Sequence, residues 1–371
     1  MSALHIVLAA GGTGGHVFPA EALASELLDR GHRLGLVTDA RGKAYGGALS
    51  QLETHHIQAG GIAGKSILAR IKSVLALAVG TFQAWRLLKR LKPDVVVGFG
   101  GYASAPTMLA ATFTSIPTLI HEQNALLGRA NRLLAGRVHK IATSFADTQG
   151  MNENCAGKVI LTGMPVRAPI AAKIDTPYPS GEGDVSLNVL VLGGSQGATV
   201  LSDVVPMALA KLPDLLKSRL HVTQQCREED LQRVKEVYNT HGIMAHLASF
   251  IDDVPERIAS AHVMIARAGA SSVSEALAVG RPSILVPYPF AADDHQTFNA
   301  RSVDSAGAGW IMPQDTFTAE NLAIRLDSLL SLPAVLGKAA RCARALGTGD
   351  AAQKLADEVI GLSPLNERTT L

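Results

Sequence analysis

Cysteine is scarce in this sequence, whose 371 residues include only Cys155, Cys226 and Cys342. The three cysteines are far apart and form no CxxC pair, so the sequence indicates neither a disulfide framework nor a thiolate metal site. This usage fits a reducing cytoplasm. Aromatic residues are also few, at 4%, and no basic helix or known recognition motif is found, which argues against nucleic acid as a partner.

The sequence also lacks a continuous apolar segment suited to crossing a bilayer. Val95–Ile120 carries no charge, but glycines and prolines divide it and favour a buried strand, loop, helix and second strand. The apolar first residues have no basic n-region and run directly into a glycine loop. They therefore indicate a first strand rather than a signal peptide.

What the sequence does contain is a large apolar fraction, 47% against 18% charged residues, which predicts a folded chain. At roughly 150 residues per domain, the length favours two domains. The net charge of +2 is unevenly distributed, because residues 1–163 hold 16 basic and 9 acidic residues and the remainder is net acidic. This asymmetry indicates that the first half meets an anionic partner, either phosphates or a membrane surface.

Short apolar runs alternate with helical patterns along the whole chain, which is typical of βαβ units and a parallel sheet. In the first half the predicted strands and helices are Leu4–Ala10, Pro19–Arg30, Arg33–Thr38, Val95–Gly98, Thr107–Thr114 and Pro117–His121. The pattern restarts at Leu187–Leu192, and Gly194 follows that strand as Gly12 follows the first. Two similar α/β halves are therefore predicted.

Between the halves, Pro165–Ser186 contains four prolines and the sequence SGEG. This composition suits an interdomain linker and hence a hinged cleft. The tail from Ala351 to Ile360 has apolar residues at helical spacing, so it is predicted to pack on one of the domains. The pattern leaves open which domain that is.

Three glycine loops leave predicted strands, beginning at Gly11, Gly98 and Gly193. Each can hold a phosphate on backbone N–H groups at a helix N-terminus, or can be a tight turn without a ligand. The three together favour a phosphorylated ligand. No GxxxxGK(S/T) P-loop is present, and Val17 takes the third glycine position of a GxGxxG motif. Asp39, at the end of the second strand, keeps a dehydrogenase open as an alternative.

His16 follows the first glycine loop at a predicted helix N-terminus. This position disfavours the charged imidazolium and leaves a neutral ring that can accept a proton. The loop alone is equally compatible with a general base and with a capping or packing histidine.

In the second half, Ser271 and Ser272 can cap a helix and bind phosphate. Glu275 can hold a vicinal diol such as ribose, or it can simply compensate the helix dipole. Asp293–Gln296 and Asn299 carry polar groups suited to sugar hydroxyls, with a solvated loop as the alternative. No second cluster has the spacing of metal ligands, so no metal site is predicted.

Residues 54–93 contain seven basic residues and no Asp or Glu. Within this stretch a helical apolar stripe, flanked by Lys72 and Arg86, is formed by Ile71, Leu75, Ala78, Phe82 and Trp85. Such a stripe usually faces a core, but its basic flanks are also typical of a surface that binds anionic membranes.

The sequence resembles the MurG family, within glycosyltransferase family 28, in a set of motifs that follow one another over nearly the whole chain. These motifs are GGTGGHVFPA, GFGGYASAP, HEQNALLGRAN, TGMPVR, LGGSQGA, RAGASSVSEAL, GRPSILVPYP and DHQTFNA. The resemblance implies an α/β chain with the GT-B fold, in which two Rossmann-like doubly wound domains face each other across a cleft. It implies an acceptor- and membrane-binding domain at 1–164, a UDP-GlcNAc-binding domain at 165–349, and a helix at about 350–362 that returns to the first domain.

The resemblance also implies roles for individual residues. His16 is the candidate catalytic base, with Glu122 as the alternative. Arg167 and Ser195 would bind phosphate, Ile251 would border the uracil, and Gln296 would hold GlcNAc hydroxyls. The full implied binding set is Thr13, Gly14, Gly15, Asn124, Arg167, Ser195, Ile251, Ala270, Ser271, Ser272, Val273, Ser274, Glu275 and Gln296, with no metal and no cofactor.

The implied reaction is an inverting transfer of N-acetylglucosamine from UDP-GlcNAc to the C4 hydroxyl of undecaprenyl-diphospho-MurNAc-pentapeptide (lipid I). Its product is lipid II for peptidoglycan synthesis, and its place is the cytoplasmic face of the bacterial inner membrane, where the enzyme is peripheral. The alternatives are another UDP-GlcNAc enzyme, such as a 2-epimerase, and a non-catalytic nucleotide-sugar binding protein. Two departures from the family pattern, Ala63 and His295, bear on one acceptor contact and on the sugar contacts.

Overall fold

The structure is a computed structural model that describes residues 3–12, 14–39, 46–60, 67–181, 183, 185–194 and 197–363. The chain divides into two compact units. Unit 1 comprises residues 1–167 and 350–371, and unit 2 comprises residues 168–349. The chain therefore passes between the units twice, after residue 167 and after residue 349.

In the described part of unit 1, seven strands form one parallel sheet. They are β1 (His5–Ala9), β2 (Arg33–Asp39), β3 (Glu53–Ile57), β4 (Val95–Gly98), β5 (Thr118–Glu122), β6 (Lys140–Thr143) and β7 (Val159–Leu161). The spatial order is β3-β2-β1-β4-β5-β6-β7, and every neighbouring pair is parallel. The order reverses between β1 and β4, which is the switch point where open α/β sheets bind ligands.

The helices between these strands are α1 (Gly14–Asp29), α2 (Ile67–Leu91), α3 (Gly101–Thr112) and α4 (Arg129–Leu134), with 3-10 helices at Gly47–Gln51 and Glu153–Lys158. Both α1 and α3 begin directly after glycine turns, so Pro19 and Pro106 lie inside them. The predicted starts at Pro19 and Thr107 were therefore too late. In a sequence, a proline near a helix start indicates that the helix begins there. In this structure Pro19 and Pro106 lie inside their helices, and each removes only one N–H donor.

Unit 2 repeats this arrangement with a six-stranded parallel sheet in its described residues. Its strands are β8 (Leu187–Leu192), β9 (Leu220–Gln225), β10 (Met244–Ala248), β11 (Val263–Ala266), β12 (Ser283–Leu285) and β13 (Gly309–Ile311). The order is β10-β9-β8-β11-β12-β13, so the switch point lies between β8 and β11. The two similar α/β halves predicted from the repeated pattern are confirmed.

The helices of unit 2 cover both faces of its sheet, as a parallel sheet with continuous apolar strands requires. They are α5 (Ala168–Ala171), α6 (Thr199–Ala210), α7 (Asp214–Lys217), α8 (Leu231–Thr240), α9 (Val254–Ser260), α10 (Ala270–Val279), α11 (His295–Ser305), α12 (Ala319–Leu330) and α13 (Pro333–Leu346), with 3-10 helices at Glu228–Asp230 and Ala292–Asp294.

The last helix, α14 (Ala351–Gly361), packs on α1 of unit 1. Its buried side chains join the hydrophobic cluster that contains Leu8 and Leu23. They are Leu355, Ala356, Val359 and Ile360. An ion pair between Arg30 and Asp357 adds to this contact.

The uncharged segment Val95–Ile120 forms β4, α3 and most of β5, as predicted from its glycines and prolines. The first three residues of β4, Val95, Val96 and Val97, are fully buried. Across the described part of the chain, no helix combines the length and the apolar character that crossing a bilayer demands.

The predicted linker is shorter than its composition suggested, because unit 2 holds most of it. Tyr178 donates its hydroxyl to the His262 carbonyl oxygen at 2.8 Å, and His262 Nε2 lies 3.0 Å from the Ser180 carbonyl oxygen. Arg281, fully buried, donates to the carbonyl oxygens of Thr176 and Pro177. Proline content marks irregular backbone here rather than a free connection.

Candidate active site

In unit 1, the carboxyl ends of three adjacent strands bring together residues that are distant in sequence. β1 leads into Gly11–Gly15 and then His16, β4 leads into Gly100 and Gly101, and β5 ends at Glu122. Since parallel strands point the same way, their ends share one edge of the sheet. The candidate base, two glycine turns and the HEQN motif therefore meet there.

Two positions of the first glycine loop favour glycine for different reasons. Gly12 has φ of +89°, which favours glycine, and a Cβ at Gly14 would lie 2.8 Å from the Phe18 ring. The guanidinium of Arg167 lies over the same Phe18 ring, 4.7 Å from its centroid. Arg167 is thus placed beside the first turns of α1, where an anion is favoured. Thr13 lies outside the described residues.

His16 is the first member of a chain of hydrogen bonds that runs into the interior of unit 1. Its Nδ1 lies 3.0 Å from Gln123 Oε1. The Gln123 amide nitrogen lies 3.0 Å from the His121 carbonyl oxygen and 3.1 Å from His121 Nδ1. His121 Nε2 in turn lies 3.0 Å from the Gly163 carbonyl oxygen.

The other ring nitrogen of His16 borders the glycine turn after β4. Gly101 has φ of +70°, and a Cβ built on it would lie only 3.2 Å from His16 Nε2 and 3.1 Å from Cδ2. Any side chain at this position would both strain the backbone and crowd the ring. Glycine at 101 therefore preserves space beside Nε2.

Glu122, the alternative base, is held by four hydrogen bonds and is only 2% exposed. Its Oε1 accepts from the backbone and side-chain amides of Asn124 at 3.0 and 3.1 Å. Its Oε2 accepts from the Gly128 N–H and from Asn131 Nδ2, both at 2.8 Å. A carboxylate used in this way organises the loop before α4 and has little capacity left to take a substrate proton.

In unit 2, the loop after β8 is a second glycine turn. A Cβ at Gly193 would lie 2.6 Å from the Ala198 backbone nitrogen, so no side chain fits there. Gly194 and Gly197 have φ of +82° and +67°, and the Gly197 N–H donates to the Gly194 carbonyl oxygen at 3.0 Å. The turn leads into α6. Ser195 lies outside the described residues.

The predicted nucleotide site falls on the first two turns of α10, at the neighbouring strand end. This helix follows β11 and contains Ala270, Ser271, Ser272, Val273, Ser274 and Glu275. Glu275 is 6% exposed, and the three serines are partly exposed. Asn299 donates to the Ala268 carbonyl oxygen at 3.0 Å and so ties α11 to the turn before α10. Ile251, which follows β10, is buried at 4% exposure.

Gln296 is oriented by its neighbours at the start of α11. Its Oε1 accepts from the Tyr288 backbone N–H at 2.9 Å, so its amide nitrogen is the group left to donate to a ligand oxygen. The turn before it places Asp293 and Asp294 at φ of +53° and +56°. Consecutive non-glycine residues in this region store strain, which is common at binding loops. His295 Nδ1 lies 2.8 Å from the Ala292 carbonyl oxygen.

Arg267 has a role in unit 2 that the motif patterns did not identify. It donates to the Val286 and Pro287 carbonyl oxygens and to Gln314 Oε1, and it lies over the Tyr288 ring. Burial lowers the pKa of its guanidinium. Arg267 thus fastens the segment after β12 to the end of β11. The sequence feature that could have identified Arg267 is its position directly after a buried strand.

Most of the apolar stripe of α2 is on the surface. Leu75 and Phe82 are 59% and 57% exposed, whereas Ala84 and Leu88 form the buried side of the helix. A groove of about 540 Å³ between α2 and α3 is lined by Val74, Leu77, Ala78, Thr81, Phe82, Trp85, Leu109 and Phe113. Arg86 and Lys89 lie over the Phe82 and Trp85 rings. The core-facing alternative is therefore wrong for Leu75, Ala78 and Phe82, whereas Trp85 is partly buried and packs against the cluster that contains Ala84 and Leu88. Ala63 and the side chain of Ile71 are outside what the structure describes.

The predicted site residues thus form one group in each unit. Gly14, Gly15, His16, Glu122, Asn124 and Arg167 are in unit 1, and Ile251, Ala270–Glu275 and Gln296 are in unit 2. No role was predicted for Gln123, His121 or Phe18, although the first two stand inside the motif HEQNALLGRAN and Phe18 stands inside GGTGGHVFPA.

Two family models match the chain. The Glycosyltransferase family 28 N-terminal domain matches residues 6–143, and the Glycosyltransferase family 28 C-terminal domain matches residues 188–357. The chain therefore belongs to glycosyltransferase family 28 and is a glycosyltransferase. Its two parallel-sheet α/β units are those of the GT-B fold, as predicted.

Individual members of the family are similar to this chain over nearly its whole length. The chain is 58% identical, over 97% of both chains, to the "UDP-N-acetylglucosamine--N-acetylmuramyl-(pentapeptide) pyrophosphoryl-undecaprenol N-acetylglucosamine transferase" of Paramagnetospirillum magneticum. The crystal structure of MurG from Acinetobacter baumannii is 30% identical, with a TM-score of 0.79 over 96% of this chain and 99% of that one. The resemblance to the MurG family is confirmed.

A UDP-GlcNAc 2-epimerase from Neisseria meningitidis has a TM-score of 0.65, over 97% of this chain and all of that one. It is only 14% identical. It therefore shares the fold alone and gives no support to the epimerase alternative.

Proposed function

We propose that this protein transfers N-acetylglucosamine from UDP-GlcNAc to the C4 hydroxyl of the MurNAc residue of lipid I, giving lipid II for peptidoglycan synthesis. The observation that carries the proposal is the likeness, over nearly the whole chain, to relatives named for this transfer. The two groups of site residues supply the chemistry that such a transfer needs.

The acceptor hydroxyl is activated in unit 1. His16 Nε2 takes the proton of the C4 hydroxyl while its oxygen forms a bond to the anomeric carbon of GlcNAc. The bond from that carbon to the diphosphate oxygen breaks, and its electron pair leaves with UDP. Attack opposite to the leaving group gives inversion. The saturated hydrogen bonding of Glu122 favours His16 as the base.

In this proposal, residues that follow the strands of unit 2 hold the donor, UDP-GlcNAc. The turn at Gly193–Gly197 and the first turn of α10 present backbone N–H groups to the diphosphate. Glu275 binds the ribose hydroxyls, Ile251 borders the uracil, and the Gln296 amide nitrogen donates to a GlcNAc hydroxyl. Arg167 and Ser195 bind phosphate and offset the charge that develops on leaving UDP. For Thr13, Gly14, Gly15 and Asn124 we propose contacts with the donor sugar, as the resemblance to the MurG family implies.

The division at residues 164 and 165 assigns the acceptor to the first domain and the donor to the second. This assignment is supported by the family 28 models, which match the two parts separately. It also agrees with the net positive charge of residues 1–163. The helix at about 350–362 belongs to the acceptor domain in this proposal, in keeping with its packing on α1.

We expect labelled GlcNAc to move from UDP-GlcNAc to a short-chain lipid I in the presence of EDTA, with one UDP released per sugar transferred. Helix N-termini and Arg167 supply the electrostatic stabilisation that a metal ion would otherwise give. The measurement is separation of labelled lipid from labelled nucleotide. Conversion of the nucleotide sugar without lipid would identify an epimerase, binding without turnover a binding protein, and a strict need for added divalent ion would refute the metal-independent step.

The apolar groove and its basic rim support a place at the cytoplasmic face of the inner membrane, as a peripheral protein. The exposed aromatic and aliphatic side chains of α2 would enter the headgroup region, and the cations around them would meet anionic lipid. Since lipid I is anchored by a polyprenyl chain, this contact brings the acceptor head group to unit 1.

Replacing two of the rim cations, in an Arg86→Gln, Lys89→Gln double variant, is expected to weaken binding to phosphatidylglycerol vesicles about thirtyfold. The reason is that each cation near an anionic surface contributes about 1 kcal/mol. Vesicle flotation at fixed salt measures the effect. The matched control replaces exposed cations of unit 2, Lys235→Gln and Arg325→Gln, which should leave binding unchanged. Equal losses in both pairs would contradict the assignment of the α2 surface.

A further inference from the structure

We propose that Gln123 and His121 are positioning residues that hold the neutral ring of His16 with its proton on Nδ1, so that Nε2 is presented as the proton acceptor. This inference rests on the proposed function, because it concerns the base of that reaction. It adds a specific task for two residues of the HEQN motif that themselves touch no reacting atom.

Two backbone carbonyl oxygens fix the direction of every hydrogen bond in this chain. The Gly163 carbonyl oxygen can only accept, so the nitrogen facing it, His121 Nε2, carries the hydrogen. The His121 carbonyl oxygen can only accept, so the Gln123 atom facing it at 3.0 Å is the amide nitrogen. The same amide group then donates to the bare Nδ1 of His121.

Gln123 is thereby fixed with its carbonyl oxygen toward His16. That oxygen has no hydrogen to give, so the His16 Nδ1 that lies 3.0 Å from it must be the donor. A neutral imidazole carries one hydrogen on its ring nitrogens, and Nδ1 holds it. The lone pair is left on Nε2, beside the space that Gly101 keeps open.

The inner end of the chain of hydrogen bonds is buried and uncharged. His121 and Gln123 are 0% and 1% exposed. Burial lowers the pKa of His121 to about 4, so its ring is neutral near pH 7 and keeps a lone pair for the Gln123 amide. The other nearby titratable group, Glu122, directs its carboxylate to Asn124, Gly128 and Asn131 and takes no part in the chain. A buried, fully paired amide is costly to reverse, because reversal would set two acceptors against each other.

During transfer, the C4 hydroxyl proton moves to His16 Nε2 and the ring becomes an imidazolium. The Nδ1–H group continues to donate to the Gln123 carbonyl oxygen, which is already placed to accept from the charged ring. Without Gln123 the ring would divide between its two tautomers, and only one of them has a free Nε2.

The first test reads the tautomer in the parent protein, and a His16→Ala variant serves only to assign the signals. In protein labelled with ¹⁵N-histidine, long-range ¹H–¹⁵N correlations distinguish a protonated ring nitrogen from a bare one, and the signals absent from His16→Ala belong to His16. We expect Nδ1 to be protonated and Nε2 bare in the parent near pH 7.5. The opposite pattern would overturn the inference.

The second test uses Gln123→Met, which keeps the length of the side chain and removes its polar atoms. We expect the His16 signals to move toward the Nε2–H tautomer and turnover to fall about 10- to 100-fold. A double variant, His16→Ala with Gln123→Met, should be no slower than His16→Ala alone, since both act through one group. An additive loss would mean that Gln123 is merely structural.

Gln224→Met is the matched control, because Gln224 is also fully buried but belongs to unit 2 and accepts from the Tyr238 hydroxyl. It should share any loss of thermal stability and leave the His16 signals unchanged. The two proposals fail in different ways. If His16→Ala is as active as the parent, the proposed base is wrong; if His16→Ala is inactive but Gln123→Met matches the parent in turnover and tautomer, only the positioning role is wrong.

Discussion

Replacing His16 with alanine should reduce sugar transfer to lipid I by a factor of about 10² or more, because a positioned general base contributes about 10²- to 10⁴-fold. Donor affinity should change little, since His16 lies in unit 1 and the residues proposed to hold UDP lie mainly in unit 2. Single-turnover transfer of labelled GlcNAc measures the first quantity, and calorimetric titration with UDP measures the second. The expected signature is a fall in kcat at nearly constant affinity for the donor.

His241→Ala provides the matched control, because His241 is an exposed histidine at the end of α8. It should leave turnover within about twofold of the parent. Unchanged turnover in His16→Ala would remove His16 from the mechanism. A loss that appears only as weaker UDP binding would instead place His16 among the donor contacts.

Arg281→Met should lower the free energy of unfolding of unit 2 by about 3–5 kcal/mol, because each buried carbonyl oxygen left without a donor costs about 1–3 kcal/mol. Arg281 is 0% exposed and donates to backbone carbonyl oxygens of Ala259, Val279, Thr176 and Pro177. Burial lowers the pKa of its guanidinium to about 10, which leaves it charged near pH 7. Methionine fills similar volume but leaves the carbonyls of Ala259, Val279 and Pro177 without this donor, whereas the Thr176 carbonyl still accepts from Arg344. Urea unfolding followed by tryptophan fluorescence gives the measurement, since Trp310 is in β13 of this unit.

An exposed arginine of the same unit, Arg325, supplies the comparison for this variant. Arg325→Met should change stability by less than about 0.5 kcal/mol, as expected for a surface position. If Arg281→Met were no less stable than Arg325→Met, the carbonyl cluster would not depend on the guanidinium, and the attachment of residues 176–181 to unit 2 would need another explanation.

Much of the fold could be predicted because the signals are local. A run such as Val95–Gly98 is a buried strand by composition, and glycine after it requires a turn, so the βαβ order and the repeat followed from the sequence. The same local reasoning misplaced the starts of α1 and α3, where Pro19 and Pro106 are tolerated inside helices. It also extended the linker to Ser186, because composition does not reveal carbonyl groups captured by Arg281.

The candidate site could be predicted less completely from the sequence than the fold. His16 stood out because it follows a glycine loop, but its usefulness as a base depends on Gln123 and on a carbonyl at Gly163, which is 42 residues beyond His121. No periodicity encodes the orientation of a buried amide, since the strand order decides which groups face it. The same holds for the α2 stripe, whose exposed side is determined by how the helix packs on α3.

The return of α14 to unit 1 affects how the chain is made. On the ribosome, β1 and α1 emerge first, but Leu355, Ala356, Val359 and Ile360, which cover Leu8 and Leu23, are synthesised only after all of unit 2. An apolar face of the nascent amino-terminal unit therefore stays uncovered through most of translation, and chaperones that shield such faces have a defined place to act. Truncation after residue 349 would make that unfinished state permanent.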